Sequence, residues 1–196
     1  NDEIGQLAQG YNRMLQSLNE SRNITQAREW LEKGISEINS VIRKSQDKTH
    51  VSNQILSYLV HYLNGQLGAL YWQEEDKFIP YATYALEKQL VKLKAIELGE
   101  GLVGQVAINK KPMHITALPH NYYDITSSFG EVKPQSLIIF PIIYNDKVIA
   151  IVELAWFDKM PDKVLAFLEI ANEILAVSFI NMRQNENVLT MLKESQ

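Results

Sequence analysis

The chain has 196 residues, of which 46% are hydrophobic and 21% are charged, a composition typical of a globular protein with one sizeable core. Its formal net charge of -4 gives no electrostatic reason to expect nucleic acid or an anionic membrane surface as a partner. The absence of cysteine excludes disulfides, thiolate metal sites and cysteine nucleophiles.

The first predicted element is a long helix that begins at Asp2. Its apolar residues alternate at spacings of three and four, a pattern typical of a coiled-coil seam or of one amphipathic helix on its own domain; they are Ile4, Leu7, Tyr11, Met14 and Leu18. The stripe lapses between Asn19 and Arg28 and resumes in a shifted phase at Leu31. Such a change of phase indicates either a place where two helix packings compete or a simple exposed connector.

The opening "DEIGQLAQGYNRM" resembles the end of a HAMP domain, in which Asp-Glu-Ile-Gly-x-Leu precedes the second helix of a parallel helical bundle just inside the membrane. The resemblance implies a membrane span upstream of the chain. We assign 1–20 to the HAMP-like helix and 21–44 to a helical linker.

A globular domain is predicted to follow the polar stretch that starts at Arg43. A helix from Ser52 ends at the C-cap signal Asn64-Gly65. Strands from Leu67 and Phe78 form a hairpin. A helical stretch from Leu86, a strand and a glycine-rich turn lead to a helix at 102–109 and a strand at 113–115.

The polar and aromatic segment 116–135 carries no secondary-structure signal and is predicted to be a functional lid. Two apolar strands follow around Asn145-Asp146, a pair suited to a tight hairpin turn. They are shorter than the roughly 20 residues of a membrane helix, and no membrane-crossing segment is expected. A last helix from Asp162 is predicted to project beyond the domain.

This order of elements resembles the GAF domain, through "GEGLVGQVAINKKPMHI", "SLIIFPIIYNDKVIAIVEL" and "FIPYATYA". The resemblance implies an α/β (α+β) fold with a central antiparallel sheet, N- and C-terminal helices on one face and a ligand cavity on the other. Long coiled-coil extensions are expected at both ends. We assign 45–181 to this sensor domain and 182–196 to a C-terminal signalling helix.

The chemistry of known GAF ligands narrows the classes of ligand that this domain is expected to bind. "NKK" at Asn109 lacks the Phe and Asp-Glu partners of cyclic-nucleotide members, and bilin-binding and methionine-sulfoxide-reducing members need cysteine. No histidine has metal-ligand spacing, so neither a metal nor a cofactor is predicted. Glu74-Glu75-Asp76 falls in a turn and "GEGLVG" lacks the Lys-Ser/Thr of a phosphate loop, so the chain is not expected to be an enzyme.

The family position of the cavity predicts a small-molecule site with apolar walls and a few polar groups. Its walls are predicted to include Tyr84, Leu102, Val103, His114 and Pro134. The lid is predicted to contribute Tyr122, Tyr123, Ser127 and Ser128. The alternative is a cavity filled by aromatic side chains in a domain that only dimerises.

The sequence therefore predicts the cytoplasmic part of a plasma-membrane sensor, with a two-component sensor histidine kinase whose kinase domain lies downstream as the leading interpretation. A parallel homodimer through the N- and C-terminal helices is expected, together with a small ligand, and neither nucleic acid nor direct membrane contact. The alternatives are a purely structural dimerisation and relay module without a ligand, or the sensor domain of a chemoreceptor or nucleotide cyclase.

Overall fold

The computed structural model describes residues 2–44, 47–86, 94–116, 125–127 and 130–194. The chain divides into two compact units, Asn1–Glu37 and Ile38–Gln196. Helix α1 (Asp2–Arg43) is continuous through the predicted change of phase. In the first unit the predicted seam residues Ile4, Leu7, Tyr11, Met14 and Leu18 are each more than half exposed.

The second unit contains three further helices and eight strands among the described residues. The helices are α2 (Lys48–Tyr62), α3 (Gly101–Asn109) and α4 (Val164–Glu194). The strands are β1 (Leu67–Glu74), β2 (Lys77–Tyr84), β3 (Ile96–Glu97), β4 (Met113–Ile115), β5 (Ile125–Ser127), β6 (Gly130–Val132), β7 (Ser136–Tyr144) and β8 (Lys147–Trp156).

Six strands form one antiparallel sheet in the order β3-β2-β1-β8-β7-β4. The hairpins β1–β2 and β7–β8 meet at the β1–β8 pair, which puts the most apolar strands at the centre. Nearly every residue of β7 and β8 is buried because both faces of the sheet are covered. The predicted α+β fold with a central antiparallel sheet is confirmed.

The turns follow the residues that favour them. Asn145 and Asp146 have φ angles of 46° and 60°, as the sequence predicted for the β7–β8 hairpin. Helix α2 begins at Lys48, four residues before the predicted start at Ser52, because the Asp47 side chain caps it by accepting a hydrogen bond from the His50 backbone N–H at 2.6 Å.

The segment 116–135 differs from its prediction as a lid without secondary structure. Its described residues form a two-stranded sheet in which Ile125 pairs with Val132 and Ser127 with Gly130. The β-branched residues Ile125, Thr126 and Val132 favour strands here. The predicted helical stretch from Leu86 lies mostly outside the described residues.

Helices α2 and α4 cover one side of the sheet, named here the helix face. Tyr62 at the end of α2 contacts Phe167 near the start of α4, with ring centroids 5.3 Å apart. Lys48 at the start of α2 lies 3.8 Å from Glu186 in the second half of α4. The two helices therefore run antiparallel across the sheet.

Within α4, Val164–Val188 is long and apolar enough to cross a membrane by length and composition alone, and 39% of its most apolar window is buried in the fold. The sequence prediction overlooked this segment because Glu169 and Glu173 interrupt it. Its buried side chains, such as Phe167 and Phe179, pack against the domain. This packing accounts for part of its apolar composition.

Candidate functional site

The side of the sheet opposite α2 and α4, named here the α3 face, carries alternate residues of β1, β7 and β8. Helix α3 packs on it through Val103, Val106 and Ala107. The remaining buried members of this cluster are Leu67, Ala69, Tyr71, Phe78, Leu86, Leu137, Ile139, Ile151 and Ala155. By its position in the fold, this face is where the sequence predicted a ligand cavity.

A carboxylate lies within this apolar cluster. Glu153 is only 1% exposed and stands in β8 between Ala69 of β1 and Ile139 of β7. The Tyr71 hydroxyl donates a hydrogen bond to Glu153 Oε2 at 3.3 Å. Burying a carboxylate is unfavourable unless polar groups compensate it, and the Tyr71 hydroxyl is one group that does so.

A second polar group lies on the same row of the sheet. Thr83 of β2 pairs with Ala69, which pairs with Glu153, so the three side chains point to the same face. Thr83 Oγ1 is buried and has no hydrogen-bond partner among the residues that the structure describes. Thr83 and Glu153 therefore flank the small side chain of Ala69.

The space beside Ala69 and Glu153 is narrow. Its atom-free volume is about 150 Å³, and no point within it is wide enough for a water molecule. The other residues that line it are Leu67, Gly68, Leu86, Leu137 and Ala155. A ligand that contacts Glu153 from this space must displace side chains to enter.

Three of the predicted wall residues lie near this face or inside the domain. Val103 belongs to the buried cluster, and Leu102 packs against it while partly exposed. Pro134 is buried two residues before β7. The structure thus brings Leu102 and Val103 to the α3 face, where α3 meets the sheet.

Tyr84 and His114 lie away from the α3 face, which corrects their expected position. Tyr84 pairs with Gly68, where an added Cβ would lie 2.8 Å from Leu56 of α2, and the Tyr84 hydroxyl is 3.2 Å from His61 Nε2. His114 is exposed. Side chains alternate along a strand, so the neighbours Thr83, Met113 and Ile115 take the α3 face instead.

Four predicted lid residues yield no side-chain geometry. Tyr122, Tyr123 and Ser128 lie outside the described residues, and Ser127 is described only through its backbone in β5.

Sequence reasoning missed Glu153 and Thr83. The signal for Glu153 was present, because it is the one charged residue within the apolar run "VIAIVELAW"; Thr83 had no comparable signal.

The helix face carries its own polar cluster around Lys48, which is 5% exposed. The Lys48 ammonium donates to Glu74 Oε1 at 2.7 Å and to the Tyr81 hydroxyl at 3.1 Å. It lies 4.6 Å from the ring centroid of Trp72 and 4.2 Å from that of Tyr81, within the range of a cation–π interaction. Together with Glu186 on α4, these residues form the Lys48 cluster.

Helix α4 is held against β1 beside this cluster. The ring of Phe179 stacks on Trp72 with centroids 4.3 Å apart. Arg183 donates to the Gln73 carbonyl oxygen at 2.6 Å, and Trp72 Nε1 donates to Ser52 Oγ of α2 at 2.8 Å. The start of α2, the β1–β2 hairpin and the second half of α4 are thus joined at one place.

We expect the Lys48 cluster to make the stability of the domain sensitive to acid. Burial tends to raise the pKa of Glu74, but hydrogen bonds from Lys48 and Tyr81 and the charges of Lys48 and Arg183 outweigh it, so the pKa is lowered. A lowered pKa in the folded state gives stability that is present above the ordinary glutamate pKa and lost as the pH falls through the lowered value. Because the Glu74 side chain is 41% exposed, we expect this contribution to be at most about 1 kcal/mol.

We expect Glu74→Gln to reduce the loss of stability between neutral and acidic pH, measured by urea unfolding across that range. Glu75→Gln in the adjacent turn is the control, since Glu75 is exposed. Equal acid sensitivity of Glu74→Gln and the unsubstituted chain would show that Glu74 does not carry this effect.

The glycine-rich turn before α3 allows the backbone of α3 to pack closely against the preceding strand. A Cβ at Gly104 would lie 2.5 Å from the Glu97 carbonyl oxygen and 2.8 Å from the Gly99 nitrogen. Gly99 also donates a backbone hydrogen bond to Gly104 at 3.1 Å. Only glycine lets the first turn of α3 approach the preceding strand this closely.

Gly104→Ala is expected to destabilise the domain by about 2 kcal/mol, because the clash with backbone exceeds the roughly 1 kcal/mol that alanine gains in a helix. Chemical denaturation measures the change. Gly10→Ala is the control, because a Cβ there meets nothing within 4 Å. A neutral or stabilising effect of Gly104→Ala would contradict the close approach.

Among the described residues, no group of three or more His, Asp and Glu side chains is placed to hold a metal ion. Among the described residues, the buried polar side-chain groups on the α3 face include the Glu153 carboxylate and the hydroxyls of Tyr71 and Thr83. The carboxylate accepts hydrogen bonds, and each hydroxyl can both donate and accept.

The family model described as "GAF domain" matches residues 45–176. Among solved structures, the GAF domain of a phosphoenolpyruvate-protein phosphotransferase from Coxiella burnetii superimposes with a TM-score of 0.66 and 20% identity over 80% of this chain and 96% of that one. The nlh2 GAF domain of A. aeolicus, in an inactive state, superimposes with a TM-score of 0.61 and 21% identity over 80% of this chain and 99% of that one.

The free methionine-R-sulfoxide reductase of Neisseria meningitidis, in complex with its substrate, gives a TM-score of 0.60 and 15% identity over 79% of this chain and 91% of that one. At these identities the likeness establishes the shared fold. No curated protein matches the chain.

Proposed function

The chain belongs to the GAF domain family, whose members are signal-sensing and ligand-binding modules, and from this we propose that it is the cytoplasmic sensing and relay module of a membrane-bound sensor histidine kinase. The HAMP-like opening at Asp2–Met14 supports the membrane context. On this proposal the fragment is not itself catalytic, and its output is a kinase domain that follows α4.

One observation carries the relay proposal: the central strand β1 presents a candidate ligand face and a helix contact on its two sides. Ala69 and Tyr71 lie beside Glu153 on the α3 face, while Trp72 of the same strand stacks on Phe179. A change in the packing of the α3 face therefore reaches α4 through a single strand. The size of the response is limited by the ligand's differential affinity for the two packings.

Hydrogen exchange tests the relay without a known ligand. Ala69→Leu places a larger side chain in the narrow space beside Glu153 and so imitates an occupant. We expect exchange in 179–186 of α4 to rise more than exchange in β7 and β8, which serve as the internal reference. A uniform change across all three elements would contradict the relay and identify the domain as a passive spacer.

We also propose a parallel homodimer formed through α1 and α4. The seam of α1 is exposed, and on α4 the residues Ile170, Val177, Val188 and Met191 are each between about half and two-thirds exposed. Exposed apolar rows on helices mark interfaces. Sedimentation at micromolar concentration should give a dimer, and a monomer there would contradict this part of the proposal.

A relay module without a ligand is the second candidate. The observation in its favour is that the space beside Glu153 does not admit a water molecule, whereas ligand sites in proteins are usually largely preformed. In such a module the α3 face is only core, and signals pass along the helices without a ligand.

A further inference from the structure

The β7–β8 hairpin contains a β-bulge that α4 contacts on both sides. Ile142 pairs with Ala150, whereas the next residue, Ile143, pairs with Val148. Ile149 is therefore an extra residue in β8. A bulge interrupts the ladder of hydrogen bonds, and the backbone groups that it releases inside a fold need other partners.

Asn172 of α4 supplies those partners at Ile143. The Ile143 N–H donates to Asn172 Oδ1 at 2.9 Å, and Asn172 Nδ2 donates to the Ile143 carbonyl oxygen at 3.2 Å. A side-chain amide carries both a donor and an acceptor, so Asn172 pairs with this residue of β7 as a neighbouring strand would. Strand β4 pairs with Leu137–Ile139 of the same strand. Asn172 thus extends the pairing of β7 beyond the part that β4 covers.

Arg183 of α4 contacts the other side of the same bulge. Its Nη2 atom lies 3.5 Å from the Ile149 carbonyl oxygen and donates to the Gln73 carbonyl oxygen of β1 at 2.6 Å. Both carbonyl groups lie just beyond the end of the β1–β8 ladder. Asn172 and Arg183 are eleven residues apart, so they stand on the same side of α4 at a separation of roughly 16 Å along its axis.

These contacts define the position of α4 more sharply than apolar packing does. A hydrogen bond is lost when its distance or angle changes appreciably, whereas apolar side chains stay in contact through small shifts. Rotation of α4 by one residue position, about 100°, turns both side chains away from the sheet. Because both belong to one helix, such a movement breaks the two contacts together.

We propose that Asn172 and Arg183 form a two-point lock, which holds α4 in one register on the β7–β8 bulge and which opens when the domain transmits a signal. The lock rests on the proposed relay function and specifies how the moving helix of that relay is held. Its closed and open forms are two discrete arrangements of α4, as is usual for elements packed on a dense core.

A double-mutant cycle tests whether the two contacts act together. Asn172→Leu and Arg183→Met keep most of each side chain's volume but remove its hydrogen bonds. In urea unfolding of the whole 196-residue chain, each should lower the equilibrium constant for folding at least about fivefold, because backbone groups lose their partners. The double variant should be at least about threefold more stable than the product of the single effects predicts, since the first substitution already loosens the second contact.

Hydrogen exchange measured by NMR gives a second readout that two independent structural bonds would not change. The Ile143 amide is bonded to Asn172, not to Arg183. In Arg183→Met we nevertheless expect it to exchange at least about fivefold faster relative to the amides of Leu137–Ile139 in the same strand. Asn185→Met, at an exposed position of α4, is the control and should leave this ratio unchanged.

Two results would overturn the lock: single effects that multiply in the double variant, or an Ile143 exchange rate that Arg183→Met leaves unaltered. If Asn172→Leu does not fold, Asn172→Asp keeps the acceptor for the Ile143 N–H, removes the donor and takes its place in the cycle. The relay itself has a separate readout in the response of 179–186 to Ala69→Leu, so either can fail while the other stands.

Discussion

Phe179→Ala should destabilise the domain by about 3–5 kcal/mol, the range for truncating a buried aromatic side chain. Phe179 is fully buried on α4, and its ring stacks on Trp72 at 4.3 Å with an interplanar angle of 19°. The substitution removes the apolar contact and the aromatic pair, and it leaves a cavity between α4 and β1. Urea unfolding followed by circular dichroism gives the change in free energy.

Glu169→Ala, at an exposed position of the same helix, is the control and should change stability by less than about 0.5 kcal/mol. If Phe179→Ala does not fold, Phe179→Leu keeps most of the volume and should still be clearly destabilised. A loss below about 1 kcal/mol for Phe179→Ala would contradict the contact between α4 and Trp72 that the relay requires.

Ile151→Ala should destabilise the domain by about 2–5 kcal/mol, because Ile151 is fully buried in β8 on the α3 face. The cost arises from lost apolar burial and from the cavity left between β8, β1 and α3. The effect distinguishes a packed face from an open pocket, since a side chain that borders solvent loses far less when truncated.

Ile108→Ala is the matched control, because Ile108 lies on α3 but is 54% exposed. We expect it to change stability by less than about 0.5 kcal/mol. Equal small effects at the two isoleucines would mean that the α3 face is open to solvent rather than packed. Urea unfolding of both variants under the same conditions gives the comparison.

Much of the fold was predictable from local signals. Near-continuous apolar runs predicted the central strands β7 and β8, and Asn145-Asp146 predicted the turn between them, because these signals depend on burial and on backbone conformation over a few residues. The start of α2 was missed because its N-cap residue, Asp47, lies inside a stretch that has the composition of a polar connector.

The site was harder to predict, for two physical reasons. The first is the alternation of side chains: an error of one residue moves a prediction to the other face, which is why Tyr84 was expected where Thr83 lies. The second is that the surroundings of Glu153 are formed by residues distant in sequence, such as Tyr71 and Ala69 on a neighbouring strand. The Lys48 cluster likewise joins three elements that only the tertiary structure brings together.

The two faces of the sheet have different chemistry and share β1. The α3 face has a buried acceptor pair within an apolar cluster, whereas the helix face has a buried cation that joins α2, the β1–β2 hairpin and α4. The relay requires that these two faces be energetically coupled. Without that coupling, a ligand on one face has no effect on the packing of α2 and α4.

A double-mutant cycle between the faces measures the coupling most directly. Ala69→Leu alters the α3 face, Lys48→Met disconnects the Lys48 cluster, and urea unfolding gives the free energies of both single variants and the double variant. We predict an interaction energy larger than about 0.5 kcal/mol, although the two residues lie on opposite sides of the sheet. Additive effects, with an interaction energy within about 0.3 kcal/mol of zero, would contradict the coupling on which the relay depends.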